Sequence, residues 1–397
     1  MKKSTRILLS LSLAFFFSFG VAGLIKAQDP ASGSENVTPP ATPERAAYDQ
    51  QMAAYKDNLK KLRSLKEEYQ TATPENRDRI KDQFDPLVQE TGRLQKELIP
   101  LALAAYKAAD GNDPEIFEFL LVMLEWSVIK TENYEMAYEI ASVILPSDKI
   151  PERNSYLYAY AAYAAFNVMA LDDAESFYQM AKEKGGLQTL RQQDPRGEMQ
   201  IPMILTQYLP EYKELWAKEK EIRAAEAKAD NLPRVLLRTT KGDIVLELFP
   251  KEAPEAVGNF MTLVSKNYYS GVPFHRVLPH FMAQGGDPTG TGTGGPGYCI
   301  RDEFSKPDAR AHFRGSLSMA KTGMPNSGGS QFFLTFIPTA FLNGKHTVFG
   351  RVVEGMDVLS EIQRIDPEKS NQPAPDKIIE AVILRGEPTP FEKLPEK

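Results

Sequence analysis

The hydrophobic pattern of the chain changes its period near residue 231. Before that point apolar residues recur every three or four positions, as in Met52, Tyr55, Leu59 and Leu62, which is the spacing of an amphipathic helix. After it, short apolar segments alternate with Gly-rich turns, which is typical of an antiparallel barrel or sandwich. The 397 residues also suggest more than one domain. We therefore expect an all-α region at 44–230 followed by a β domain at 231–388.

The helical region predicts a hairpin followed by helix pairs. The hairpin runs from about Glu44 to Ala109 and divides at Thr73-Pro74, an N-cap followed by proline at the first helical position. Pro86 is expected to kink or interrupt its second helix. A charged helix at 216–230 would be a rigid spacer. The expected pairs are Pro114–Lys130 with Thr131–Leu145, and Arg153–Ala170 with Asp172–Lys184.

The second helix of each pair carries an alanine at a comparable point, Ala137 and Ala174, 37 residues apart. The stretch 172–178 resembles a tetratricopeptide repeat, although the usual period is 34 residues and the first helices match poorly. Two interpretations remain open for Tyr156, Tyr158, Tyr160 and Tyr163. They would line a peptide-binding groove or form the packing faces of a helical layer, and we favour the second.

The N-terminus has the features of a targeting segment. Lys2, Lys3 and Arg6 precede an apolar run of 19 residues, Ile7–Ile25, which predicts a signal peptide at 1–27 cleaved after Ala27 or Gly23. Because the run is close to the length that spans a bilayer, an uncleaved signal anchor is the alternative. Residues 28–43 are rich in Pro, Ser and Thr and predict a flexible linker. We expect an exported protein of the periplasm or cell envelope, bound to the membrane only if the segment is uncleaved.

Charge and composition exclude several classes of function. The net charge is 47 − 53 = −6, whereas non-specific nucleic-acid binding needs a basic surface. The single cysteine, Cys299, excludes an intramolecular disulfide and a Cys-rich metal site. The four histidines form no HExxH pair. We therefore expect no metal, no cofactor and no nucleic-acid partner.

The β domain predicts a succession of short strands. A tight turn at Lys241-Gly242 joins the first two, and Pro254 begins a helix. The expected strands are Val235–Thr239, Ile244–Phe249, Phe281–Gly285, Ser316–Ala320, Gln331–Thr335, Thr347–Val352 and Ile378–Leu384.

Four segments of this domain carry polar and aromatic residues in a distinctive order: FHRV at 274–277, FMAQGGD at 281–287, GSQFF at 329–333 and LNGKHTVFG at 342–350. Together they resemble the cyclophilin-type peptidyl-prolyl cis-trans isomerases over about residues 233–386. The resemblance implies a closed eight-stranded antiparallel barrel capped by two helices, at 254–266 and near 356–363. It also implies isomerase activity (EC 5.2.1.8) without a cofactor. Residues 389–397 would be a C-terminal tail.

Rotation about an X–Pro bond meets a barrier of about 18–20 kcal/mol from amide resonance. An apolar slot for the proline ring and a hydrogen-bond donor to the prolyl nitrogen lower it, and neither a nucleophile nor a metal is needed. The resemblance assigns the donor to Arg276, with a rigid fork of N–H groups, and makes Gln284 the second catalytic residue. It assigns substrate binding to Phe281, Met282, Ala320, Lys321, Thr322, Gln331, Phe333, Phe341, Leu342 and His346.

Two positions depart from the family pattern. Lys321 and Thr322 replace the Asn-Ala that follows Ala320 in many members, with one extra residue before Pro325. The resemblance implies that the contact at Lys321 uses the backbone, so the substitution is tolerable. Phe341 stands where eukaryotic members often have Trp, which should spare catalysis and weaken binding of cyclosporin-like macrocycles.

Two other features have ordinary interpretations. Gly292, Gly294 and Gly297 satisfy GxGxxG, but an extended segment rather than a helix follows, so dinucleotide binding is not expected. Cys299 lacks an activating base and is expected to be buried.

The leading hypothesis is a prolyl isomerase that acts on proline-containing peptides and unfolded exported proteins. The alternative is a helical chaperone or interaction protein, with a protein partner on the helical region, that uses a cyclophilin-like domain to hold peptides. An envelope scaffold tethered by the N-terminal helix is a third hypothesis. Arg276 favours the enzyme, because a peptide holder does not need that donor.

Overall fold

The computed structural model describes residues 42–147, 149–194 and 200–396. The predicted signal segment at 1–27 and the linker up to residue 41 lie outside the described residues.

The first two helices form the predicted hairpin. Helix α1 spans Pro43–Thr71, and the Thr42 side chain caps it by accepting from the Arg45 N–H. Helix α2 spans Pro74–Ala108. The helices are antiparallel, since Gln51 near the start of α1 bonds to Glu97 near the end of α2.

As predicted, Thr73 is the N-cap of α2 and Pro74 lies at its start, although the Thr73 side chain makes no cap hydrogen bond. Helix α2 continues through both Pro86 and Pro100, so Pro86 does not interrupt it, and a kink at Pro86 stays a prediction. A proline removes one N–H donor from a helix, but the helix here is held from outside. Phe84 packs with Leu62 of α1, and Leu98 lies in the main core.

The predicted helix pairs are present with slightly shorter bounds. They comprise α3 (Pro114–Ile129), α4 (Tyr134–Ile144), α5 (Tyr156–Asn167) and α6 (Leu171–Glu183), followed by α7 (Gly186–Gln193). Asp113 and Asn133 cap α3 and α4 through their side chains. Helix α3 packs on α4, and α5 on α6. The resemblance to tetratricopeptide repeats stays a prediction.

The tyrosines of α5 are packing residues. Tyr156, Tyr158, Tyr160 and Tyr163 are all buried. Because none of these four rings faces an open groove, the interpretation of this stretch as a helical packing layer is confirmed.

The helix before the β domain packs against that domain instead of spanning free space. A short helix α8 (Ile201–Met203) leads through a π-helical turn at 204–208 into α9 (Leu209–Ala229). Glu219 and Glu226 of α9 form ion pairs of 2.8 and 2.6 Å with the buried Arg310. The prediction of a rigid spacer is therefore wrong, because this face of α9 carries acceptors for a buried guanidinium.

The β domain is one eight-stranded antiparallel sheet. Its strands follow one another in the order β3-β4-β6-β5-β7-β2-β1-β8. They are β1 (Arg234–Thr239), β2 (Gly242–Leu248), β3 (Arg276–Leu278), β4 (Met282–Gly285), β5 (Ser316–Met319), β6 (Phe332–Thr335), β7 (Val348–Glu354) and β8 (Ile378–Arg385).

The sheet curls into a half-barrel, so the prediction of a closed barrel is wrong. Strands β3 and β8 are its two edges. Strand β3 has only three residues, too few for a full ladder on both sides. Strands β3 and β8 are not paired with each other. The chain before β3 is joined to the start of β8 by an isolated bridge between Pro273 and Lys377 and by backbone hydrogen bonds of Ile378 with Gly271 and Val272. Helix α10 (Pro254–Ser265) and helix α11 (Met356–Glu361) lie at the two positions expected for helices.

One apolar core continues from the helical region into the β domain. Within the β domain it centres on Phe260, whose ring lies 5.5 Å from both Phe332 and Phe349. Cys299 is buried, as predicted. The expected C-terminal tail also packs on the domain, because Leu394 forms a β-bridge with Cys299.

Within the described ranges, no helix combines the length and hydropathy needed to cross a membrane. Those same ranges contain no group of three His, Cys, Asp or Glu side chains placed to hold a metal ion.

Candidate active site

The register of three neighbouring strands places the two predicted catalytic residues side by side. Arg276 on β3 lies opposite Gln284 on β4, and Gln284 lies opposite Phe333 on β6. Cross-strand partners share one face of a sheet. The three residues therefore form a single row, with a cation, an amide and an aromatic ring in adjacent positions.

The Arg276 guanidinium has its hydrogen-bond donors available. It contacts a thioether and an aromatic ring: Nη1 lies 3.9 Å from Met282 Sδ, and Cζ lies 5.8 Å from the centroid of the Phe281 ring. Within the described ranges Arg276 takes part in no ion pair, and Asp366 interacts with it only through the longer-range attraction of their charges. A half-buried cation in this situation can donate to a bound amide.

Beside the guanidinium lies an apolar slot. Met282 and Phe333 form its buried floor, with exposed fractions of 1% and 5%. Phe281 and Phe341 stand at its edge with ring centroids 5.5 Å apart, and Phe341 is 46% exposed. A slot of this composition suits a saturated ring that enters from solvent.

Two histidines hold the Phe333 ring in place. The His312 ring stacks parallel to it, with centroids 6.0 Å apart and an interplanar angle of 2°. The His346 ring meets it edge-on at 5.5 Å. The floor of the slot is therefore fixed from two sides.

Burial favours the neutral form of both histidines. Burial lowers the pKa of His346, and its Nδ1 donates to the Met319 carbonyl oxygen at 3.0 Å. Burial lowers the pKa of His312 to about 4. The His312 ring nitrogens bond to Asn343 Oδ1 at 3.0 Å and to Ser318 Oγ at 2.9 Å.

Gln284 is oriented by a chain of hydrogen bonds. Its Nε2 donates to Gln331 Oε1 at 2.9 Å. Gln331 Nε2 in turn donates to the carbonyl oxygens of Gly292 and Gly294, at 3.0 and 2.9 Å. The predicted binding residue Gln331 thus connects Gln284 to the Gly-rich loop at 289–297.

That loop is organised by one buried carboxylate. Asp287 accepts from the backbone N–H groups of Thr289, Gly292 and Gly294 at 2.6–3.1 Å. Burial opposes its ionisation, but hydrogen bonds led by those from the Thr289 hydroxyl and the Gly294 backbone lower the pKa of Asp287 to about 2. Two of the three glycines in the GxGxxG pattern, Gly292 and Gly294, therefore donate to a carboxylate of the chain itself.

The segment after β5 joins the site through its backbone. The Ala320 N–H donates to the Gln331 carbonyl oxygen at 3.0 Å. The Lys321 side chain instead forms an ion pair of 3.1 Å with Asp302, and the exposed Thr322 hydroxyl bonds to Ser327. The side chains of Lys321 and Thr322 therefore bond to residues outside the slot, and the predicted backbone contact of Lys321 with the substrate stays a prediction.

The structure brings most of the predicted residues into one connected surface. Leu342 is half-buried, and its carbonyl oxygen accepts from the His346 N–H at 3.2 Å. Sequence reasoning missed His312 and Asp287 as parts of the site. No local pattern singled out His312, whereas Asp287 stood inside a recognised motif and its buried acceptor role could have been suspected.

The domain matches the model of the family described as cyclophilin type peptidyl-prolyl cis-trans isomerase/CLD over residues 234–383. A peptidyl-prolyl cis-trans isomerase of Helicobacter pylori (strain 26695) is 48% identical over 150 residues, which are 36% of this chain and 91% of that protein. The chain belongs to the cyclophilin-type peptidyl-prolyl cis-trans isomerase family. The isomerase ppi1 of Schizosaccharomyces pombe is also 48% identical, over 157 residues that cover 38% of this chain and all of that protein.

Among solved structures, a cyclophilin-type isomerase of Cryptosporidium parvum has 36% identity and a TM-score of 0.36, covering 39% of this chain and 99% of that one. The same relative was also solved in the presence of dipeptide ala-pro. The β domain of this chain is thus a cyclophilin-type isomerase domain (EC 5.2.1.8). The family match begins at residue 234 and leaves the helical region outside it.

Proposed function

We propose that this cyclophilin isomerises X–Pro bonds of exported proteins in the periplasm or cell envelope, and so assists their folding without a cofactor. The isomerase domain supports the reaction. The basic and apolar N-terminal segment, Lys2 to Ile25, supports the location. The observation that carries the mechanism is the row formed by Arg276, Gln284 and Phe333 across three strands.

The reaction needs the prolyl nitrogen to lose conjugation with the preceding carbonyl. The proline ring enters the slot over Phe333 and Met282, and the Arg276 guanidinium donates to the nitrogen lone pair as the amide twists. This bond strengthens in the twisted state, since the lone pair is then localised on nitrogen, so it lowers the barrier and not only the binding energy. Gln284 binds the substrate backbone from the next position in the row.

The guanidinium supplies only part of the rate. A hydrogen bond from a charged group is worth about 1.5–3 kcal/mol, and about 1.4 kcal/mol corresponds to a factor of ten in rate. Arg276 therefore accounts for roughly one to two powers of ten. The remainder comes from the preorganised slot, which holds the twisted amide away from water.

We further propose that the helical region collects client proteins for this domain, on a surface formed by its helix pairs. Two observations support a binding role. Helix α3 packs on α4 and α5 packs on α6, and residues 172–178 resemble a tetratricopeptide repeat. The buried tyrosines of α5 are not that surface. A peptide holder without isomerase activity is disfavoured by the Arg276 guanidinium, whose one hydrogen bond to a described residue goes to the weak acceptor Met282 Sδ.

The test is an exchange measurement by NMR on a proline-containing tetrapeptide with the full chain. Acceleration of cis–trans exchange that is lost in Arg276→Ala supports the proposed mechanism. Peptide binding without acceleration would instead establish a holder. Cell fractionation with N-terminal sequencing of the mature protein tests its location, and a protein retained in the cytoplasm would contradict export.

A further inference from the structure

The loop between α3 and α4 contacts the turn between β3 and β4, which is the turn that leads into the slot. Glu132 Oε2 accepts from the His280 backbone N–H at 2.7 Å. The Tyr134 hydroxyl lies 2.9 Å from His280 Nδ1. The helical region and the isomerase domain therefore meet one residue before Phe281.

The backbone of this turn needs external support. His280 has a φ of +52°, in the left-handed region that costs a non-glycine residue free energy. Glu132 itself has a φ of +50°. Glu132 and His280 are thus both in unfavourable backbone conformations, and the hydrogen bond between them restrains both residues.

Glu132 also holds the far side of β3. Its Oε1 accepts from Arg364 Nε at 3.0 Å and from Arg364 Nη2 at 2.5 Å. The next residue, Ile365, exchanges two backbone hydrogen bonds of 2.7 and 2.9 Å with Val277. One carboxylate thus restrains β3 both through its turn and through the segment paired with it.

The restrained hairpin carries the slot. Phe281 directly follows His280, and its carbonyl oxygen accepts from the Phe336 N–H at 2.9 Å. The Arg364 guanidinium lies 4.2 Å from the centroid of the Phe336 ring. Both groups that bond to Glu132 are therefore connected to the backbone position of Phe281.

Glu132 is suited to this role by its burial and charge. It is only 3% exposed, and its two oxygens face a guanidinium on one side and a backbone N–H on the other. When a buried carboxylate accepts from several donors, breaking any one of those hydrogen bonds costs folding free energy, because a buried polar or charged group is left unpaired. Neither neighbour can move far without that loss.

We propose that Glu132, assisted by Tyr134, is a positioning residue for the proline slot, supplied by the helical region. It acts through His280 on Phe281 and sets how tightly the slot binds the proline ring. The proposal rests on the isomerase function of the β domain, and it assigns to the helical region a part in the active site.

The test uses Glu132→Gln in the full chain. Glutamine keeps the shape of the side chain, but its single oxygen can accept from only one side, and its amide donor then faces either Arg364 or the His280 N–H. We expect the Kd for a proline-containing tetrapeptide, and KM with it, to rise about three- to tenfold. The rate of exchange in the bound state should stay within about twofold, because Arg276 retains its own contacts.

Glu226→Gln is the matched control. Glu226 of α9 is also a largely buried carboxylate of the helical region that bonds to the β domain, through Arg310 at 2.6 Å and Arg351 at 2.7 Å, and neither partner lies in the β3–β4 turn. If Glu132 has a merely structural role, both variants lower Tm and neither changes Kd. If Glu132 is a positioning residue, Glu132→Gln raises Kd and the control variant does not. Kd is measured at temperatures where circular dichroism shows that both variants are folded.

A double-mutant cycle with His280→Gly tests the route. Glycine adopts the positive φ without a steric cost, so in that background Glu132→Gln should raise Kd by less than about twofold. Tyr134→Phe, which removes one hydroxyl, should raise Kd by about two- to threefold in the parent chain.

Unchanged Kd in Glu132→Gln, or the same increase in the Glu226→Gln control, would overturn the proposal. Full additivity in the cycle would overturn the route through His280. Because peptide binding and exchange are measured separately, a parent chain that binds the peptide without accelerating exchange would refute only the isomerase assignment. A parent chain that does not bind the peptide would refute both.

Discussion

Replacing Arg276 by alanine should lower kcat/KM of this cyclophilin by about ten- to 150-fold and leave the fold intact. Arg276 is half-buried, and its contacts in the structure are a thioether and the face of an aromatic ring. Removing it therefore strands no buried carboxylate. The loss should appear in the reaction and not in the stability.

The size of the effect follows from the bond that is lost. A charge-assisted hydrogen bond contributes about 1.5–3 kcal/mol, which corresponds to roughly ten- to 150-fold in rate. A surface-like substitution changes the free energy of unfolding by less than about 0.5 kcal/mol, so Tm should move by no more than about 2 °C. Arg276→Lys should also lose activity, since an ammonium group lacks the planar fork.

The measurement is cis–trans exchange on a tetrapeptide, with thermal unfolding followed by circular dichroism. Arg238→Ala is the matched control. Arg238 on β1 pairs at 2.7 Å with Glu380 on β8, at the end of the sheet opposite to β3, and both side chains are about half exposed. It should retain full activity. Near-complete activity in a folded Arg276→Ala protein would show that the lowering of the barrier has been assigned to the wrong group.

Three further predictions concern the slot, the histidine beneath it and the contact of α9 with the β domain. Phe341→Trp should tighten cyclosporin inhibition about 5- to 150-fold, because the indole N–H supplies a donor to a carbonyl of the macrocycle that is otherwise unpaired. The kcat/KM of the two proteins should be similar, and equal inhibition of both would contradict this prediction. The folded-state pKa of His312, about 4, lies below its ordinary value, so up to about 3 kcal/mol of stability present above pH 6.5 should be lost as the pH falls towards 4. Denaturant unfolding at pH 7 and 4.5 should show this loss in the parent chain and a smaller one in His312→Gln. Glu219→Ala should cost about 3 kcal/mol of unfolding free energy because it removes an acceptor from the buried Arg310, whereas Glu380→Ala, at an exposed pair, should cost less than about 1 kcal/mol.

The parts of the molecule that could be predicted from sequence are those specified by neighbouring residues. Helix starts at Pro114 and near Tyr134 follow side-chain caps at Asp113 and Asn133. The tight turn predicted at Lys241-Gly242 does join β1 and β2, and Thr239 and Gly242 are cross-strand partners. Such signals depend only on neighbouring residues, so they do not change with the way distant segments pack.

The parts that could not be predicted depend on contacts between distant segments. Strand β3 has three residues, too few to show a period of two. Its status as an edge, and with it the open sheet, depends on how the chain near residue 377 approaches it. The stacking of His312 on Phe333 has no local signature, because neither residue's neighbours indicate the other.

The docking of the helical region changes what a truncation experiment can show. Phe313 is 3% exposed, and its ring lies 5.5 and 5.3 Å from Tyr212 and Trp216 of α9. A fragment that begins at residue 231 would expose Phe313, leave Arg310 without the acceptors on α9, and remove the carboxylate that supports the β3–β4 turn. Lower activity of such a fragment would then have a cause unrelated to client capture. A client-binding role of the helical region is therefore separable from its structural role only in the full chain, by substitutions on exposed faces of α1 to α7 that leave the contacts of Glu132 and α9 intact.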